Sequence, residues 1–173
     1  SFEREAVDCA IRLGDGQWSG VETDRVLDNR LVPMCSPALA ARNPLQTVSD
    51  LGRVRLLHSM IRPDDWRHWL RAAGAHEIDP YSGDKFASST LAYQATLEGF
   101  GVMIAQRALF ADDVAAGRLV CPFDLELDMG SHTYYLLYPQ NRLRKPAFRR
   151  FRLWLLEQAR GAADHAGPPE TAA

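Results

Sequence analysis

Apolar and polar residues alternate at the start of the chain. Val7, Cys9, Ile11 and Leu13 fall on one face, with Asp8, Ala10 and Arg12 on the other. A period of two predicts a strand with one buried face, stopped by the turn signal Gly14-Asp-Gly16. Residues 17–30 hold no sustained period and read as a loop with a short extended piece near 24–28. Leu31-Val-Pro-Met-Cys35 reads as a short apolar strand. Ser36-Pro37 has the chemistry of an N-cap followed by proline at the first helical position, and opens a short helix through about residue 41. Ser49-Asp-Leu51 begins a brief turn or helix, and residues 54–58 read as strand.

The period then lengthens. Trp66, Trp69, Leu70 and Ala73 are spaced by three and four, which predicts a helix over residues 64–73 that Gly74 ends. Phe86 closes a strand, and Ser88-Ser-Thr90 starts a helix over 90–98, with Leu91 and Ala95 on one face. Gly99 and Gly101 bracket the exit into a strand at 101–105. A helix follows at 107–116, then an extended piece at 119–123. Tyr134-Tyr-Leu-Leu-Tyr138 is a strong strand signal, cut off by Pro139. Phe148, Phe151, Leu155 and Ala159, flanked by Trp154, predict a last amphipathic helix over 146–159. The Gly-, Ala- and Pro-rich residues 161–173 are expected to be a disordered tail. Alternating strands and helices argue for an α/β fold with a largely parallel sheet. Residues near 31–123 form one self-contained unit, and the two chain ends together build a second.

Composition narrows the function. With 173 residues, 46% of them apolar, the chain can bury a real core. A net charge of −2 offers nucleic acid or an anionic membrane no general attraction. Action on DNA would need a part outside this sequence. Cys9, Cys35 and Cys121 form no CxxC pair and read as buried free thiols. No apolar run reaches membrane-spanning length, and no signal peptide is visible. The opening strand has no partner before it, which points to missing upstream sequence.

Chemical motifs are sparse. Histidines 58, 68, 76, 132 and 165 never form an HxxxH pair, and the neighbours Asp64-Asp65 and Asp112-Asp113 fit solvated helix surfaces, so no metal is expected. No Gly-x-Ser-x-Gly elbow occurs, Gly99-Phe-Gly101 completes no dinucleotide fingerprint, and neither enzymatic activity nor a cofactor is expected. The basic run Arg142, Arg144, Lys145, Arg149, Arg150 and Arg152 lacks a helix-turn-helix context and reads as a salt-bridged helix start.

A polar ligand site is the better prospect. At a helix start, the hydroxyls of Ser88, Ser89 and Thr90 and the free backbone N–H groups suit a small polar or anionic molecule. Plain N-capping is the competing role. His58 and Ser59 follow a strand, and in a doubly wound sheet ligands sit beyond strand carboxyl ends. Ile104, Ala105 and Gln106 end the next strand beside the same crevice, and Gln106 is a further contact candidate. Arg12 is a candidate too, with pairing to Asp8 or Asp15 as its alternative.

These residues resemble a known pattern. The run Phe2–Trp18 resembles the middle of a LysR-type effector domain, and Leu31–Pro37 the point where that fold enters its second subdomain. Leu57-His58, Asp65-Trp66, Trp69-Leu70, Leu91 through Gly101, Ala116–Val120, Tyr134–Tyr138 and Phe151–Glu157 continue the likeness over residues 1–160. Within the family the chain is most similar to the subgroup named after the glycine cleavage system activator, which also holds beta-lactamase regulators. The resemblance implies two Rossmann-like subdomains as in type 2 periplasmic solute-binding proteins. Subdomain I would comprise 1–26 and 129–160 and be truncated at its N-terminus, and subdomain II would span 27–128. It also implies a small-molecule effector in the cleft and a homodimer or homotetramer, with the helix at 90–98 as a dimer surface. Promoter DNA would be bound through a winged helix-turn-helix missing here, in the cytoplasm. The family's effector classes include muropeptides, amino acids and purines. A transport-type solute-binding protein is the alternative reading.

Overall fold

The computed structural model describes residues 7–165. In chain order it holds strands β1 (Ala10–Gly14), β2 (Glu22–Arg25) and β3 (Arg30–Met34), helix α1 (Pro37–Arg42) and strand β4 (Leu56–Ser59). Helix α2 (Asp65–Ala72), strand β5 (Asp84–Phe86), helix α3 (Ser89–Leu97), strand β6 (Val102–Gln106) and helix α4 (Ala111–Ala115) follow. Strands β7 (Leu127–Asp128) and β8 (Thr133–Tyr138) and helix α5 (Pro146–His165) complete it. The described residues form two compact units, one from residues 30–127 and one from residues 7–29 with 128–165.

The larger unit is built on a five-stranded sheet ordered β5-β4-β6-β3-β7. Its centre is parallel, with Leu57 opposite Asp84 on one side and Met103 on the other. β3 joins antiparallel, Leu31 opposite Gln106. Val32, Met34, Leu57, Met103, Ala105 and Leu119 make its core, and Phe86, Tyr93 and Phe110 pack against them. Trp66 and Trp69, the buried stripe of α2, meet edge to face with centroids 6.2 Å apart. Ser36 caps α1 as its Ser-Pro start predicts, its hydroxyl accepting from the Leu39 amide.

The smaller unit differs from expectation in its sheet. β8 lies between β1 and β2 and pairs antiparallel with both, so among the described residues only the larger unit carries parallel pairing. β1 was expected to bury an apolar face. It is instead an edge strand with Ile11 about half exposed, and no residue in it is fully buried. Alternation records which side chains share a face, but burial needs something packed on that face. Leu136, Tyr138 and Phe148 form the core here. Arg152 closes it, donating from Nε to Asp24 at 2.6 Å and to the Tyr138 hydroxyl at 3.0 Å.

Smaller corrections have local causes. The extended piece expected at 24–28 forms at 22–25, and the helix expected at 107–116 begins as a 3-10 turn over Arg107–Phe110. The piece expected at 119–123 is reduced to one bridge between Cys35 and Val120. α5 runs on to His165, past the expected end at 159, because Gly161 is tolerated within a helix already about four turns long. The rest of the expected tail lies outside the described residues. Of the basic run, Arg142 and Lys145 both pair with Asp8, at 3.2 and 3.1 Å. No helix among the described residues is long and apolar enough to cross a membrane.

Candidate functional site

Parallel pairing decides where the polar residues meet. β4 and β6 run in the same direction, so His58-Ser59 and Ala105-Gln106 finish at the same sheet end. β5 pairs parallel with β4 in a register that sets Ser59 opposite Phe86. The chain leaves Phe86 at that end and enters α3 three residues later. The Ser89 hydroxyl consequently donates to Ser59 Oγ at 3.1 Å. Between them opens a small pocket. Its polar rim is His58, Ser59, Arg62, Asp65, Ser89 and Gln106, over an apolar floor that includes Trp66 and Met103.

Each polar group is held from behind. His58 is only 4% exposed, and its Nε2 lies 2.6 Å from the Ser82 carbonyl oxygen. A carbonyl only accepts, so Nε2 carries the proton and Nδ1 is left as an acceptor. Burial pushes the imidazole pKa down, against a smaller upward pull from the Ser82 bond, and favours the neutral ring. Arg62 and Asp65 form a two-pronged pair, Nε to Oδ2 at 2.6 Å and Nη2 to Oδ1 at 3.3 Å, both side chains nearly buried. The amide of Gln106 turns its oxygen to the same guanidinium, 2.6 Å from Nη2. Trp66 donates from its indole to the Leu57 carbonyl at 3.2 Å, which fixes the floor to β4.

The candidates from sequence divide accordingly. Ser59, Ser89, His58 and Gln106 converge on the pocket, with Ile104 and Ala105. Ser88 serves as N-cap of α3, accepting from the Leu91 amide at 3.3 Å, and neither it nor Thr90 lines the pocket. Arg12 belongs to the other unit, on exposed β1, and Asp8 is taken by Arg142 and Lys145 rather than by Arg12. Asp65 was expected on a solvated helix surface and is instead buried against Arg62. The i, i+3 spacing of Arg62 and Asp65 at a helix start is the sequence signal for this pair, a weak one because acidic residues in a first turn are commonplace. α3 buries Ala92 and Thr96, leaving Leu91 about half exposed.

The remaining chemistry is quiet. Cys9, Cys35 and Cys121 are free, only Cys35 fully buried, and desolvation raises all three thiols, Cys35 to about 11. Among the described residues no group of three or more His, Cys, Asp or Glu side chains is placed to hold a metal ion.

Comparison with known proteins agrees with this architecture. Residues 2–160 match the family described as LysR substrate binding domain. The chain is 34% identical over 154 residues to the glycine cleavage system transcriptional activator of Escherichia coli K12, covering 88% of this chain and 50% of that protein. It is 37% identical over 155 residues to the HTH-type transcriptional activator AmpR of Enterobacter cloacae, covering 89% of this chain and 52% of that protein. It thus spans about half the length of these curated relatives. The effector domain of AmpR from Pseudomonas aeruginosa superposes with a TM-score of 0.78 at 34% identity, over 95% of this chain and 78% of that one. The AmpR effector binding domain from Citrobacter freundii gives 0.78 at 31%, over 93% and 78%. The chain belongs to the LysR substrate binding domain family and is an effector-binding regulatory domain of that type.

Proposed function

We propose that this domain senses a small molecule held partly by the strand-end pocket of the larger unit, with Ser59 and Ser89 as direct contacts. One observation carries the reading. Two hydroxyls from separate elements meet at 3.1 Å where β4 ends and α3 begins, on the rim of a pocket floored by apolar side chains. Such a place combines orphan helix amides with rotatable donors and acceptors. His58 and Gln106 extend the same rim.

The signal is a population shift. A ligand that prefers one domain geometry raises the share of that geometry, and coupling to other sites equals that difference in affinity. In the whole protein we assign the output to a DNA-binding part acting on promoter DNA, in a cytoplasmic homodimer or homotetramer. The relatives named as transcriptional activators support this assignment. Ser88 and Thr90 take a capping and a flanking role respectively.

The test has two steps. Native mass spectrometry of the protein purified from its own host identifies the bound metabolite by mass. Titration of that metabolite into Ser89→Ala and Ser59→Ala variants should then give affinity weaker by roughly five- to tenfold, the loss of one hydrogen bond. Unchanged affinity in variants that melt like the parent would remove both serines from the site.

A further inference from the structure

The pocket is lined by two charged side chains and yet carries no net charge. Arg62 and Asp65 neutralise one another through two hydrogen bonds, with side-chain exposures of only 7% and 12%. The third ionisable group on the rim, His58, is held neutral by burial and presents Nδ1 as an acceptor. What remains for a ligand is a set of uncharged partners. They are the acceptor Nδ1 of His58, the hydroxyl of Ser59 that receives from Ser89, and the amide of Ser89, the first of α3, which has no intrahelical acceptor.

Resting on the effector-site reading above, we infer that the strand-end pocket takes an uncharged amide group, and that the Arg62–Asp65 pair sets this preference by cancelling charge inside it. An amide brings one donor for His58 Nδ1 and one acceptor for the Ser59 hydroxyl or an α3 amide, without a charge to desolvate. A carboxylate entering the same space loses hydration and meets Asp65 as well as Arg62. An ammonium group meets the reverse. Arg62 and Asp65 are therefore positioning residues that act on the ligand through the field they cancel. Gln106, its oxygen 2.6 Å from Arg62 Nη2, holds the guanidinium in this arrangement.

Three probes of equal size separate the possibilities: acetamide (neutral), acetate (anionic) and acetamidinium (cationic). Each is titrated into the 173-residue chain and followed by amide NMR shifts of Ser59, Ser89 and Gln106. The neutral probe is expected to bind on the order of tenfold more tightly than either charged one. Asp65→Asn leaves Arg62 uncancelled and should move the preference to the anion, and Arg62→Gln should move it to the cation. Gln106→Glu places a carboxylate against the same guanidinium and gives the pocket a net negative charge, so it should move the preference to the cation, read at Ser59 and Ser89, even where a variant of the pair itself fails to fold. Charged probes that bind as well as the neutral one, or a preference unmoved in folded single variants, would overturn the charge-cancelling role while leaving the pocket as the effector site. No saturable shift at the three residues with any probe, in a chain whose spectrum is folded, would overturn both readings.

Discussion

His58 enters the fold as a neutral ring, and its stability contribution has a defined sign. Its folded pKa lies below the ordinary value of 6.5 because burial penalises the charged form. Above pH 6.5 the ring is neutral folded or unfolded and costs nothing. As pH falls through 6.5 the unfolded chain takes up the proton first, so stability is lost from there down to the lower folded pKa. Urea unfolding of the protein and of His58→Gln at about pH 7.5 and about pH 5.5 should show the parent's advantage shrinking on acidification. A difference between the two proteins that is the same at both pH values would contradict a buried neutral His58. The residue scale is also where sequence was least informative about the site. Ser88, Ser89 and Thr90 are chemically alike, and one residue of helix phase separates a cap from a pocket hydroxyl. Asp65 looks like any first-turn carboxylate until Arg62 is seen beside it.

At the scale of elements, one glycine makes the approach of β5 to β4 possible. Gly83 has φ +96°, and a Cβ there would sit 2.1 Å from the Leu56 carbonyl oxygen. It directly follows Ser82, whose carbonyl holds His58. Gly83→Ala should destabilise the protein by about 2 kcal/mol or more, through backbone strain and a forced separation of the two strands. Gly20→Ala is the control, since Gly20 also has positive φ, +77°, but nothing lies within 4 Å of its Cβ position. Thermal melting of both variants should show the larger drop at Gly83. Helices and their ends were legible in the chain because capping and stopping are local events. Ser36, Ser88 and Gly74 act where their residue types predict. The two-residue strand β7 and the reduction of 119–123 to a bridge depend on which strand lies alongside, so no local pattern marks them.

The whole molecule consists of two units with unequal cores. The larger holds a sheet covered by α2 and its tryptophans, with β4 and β6 at its centre. The smaller, as described, has three strands with β1 and β2 at its edges, and leaves Ile11, Leu153 and Trp154 each about half exposed. Native-state hydrogen exchange should therefore be slowest at Leu57, Met103 and Ala105 and clearly faster at Ile11 and Arg12. Equal protection in β1 and β6 would show that the smaller unit is as firmly held as the larger. Apolar periodicity, caps and turn glycines were enough to reveal an α/β chain, because each of these is satisfied within a few residues. Strand direction, the edge position of β1 and the meeting of Ser59, Ser89, His58, Arg62 and Gln106 arise from pairings between segments as far apart as Ala10 and Leu137. Those pairings are chosen by the packing of the whole unit, which no single stretch of the chain encodes.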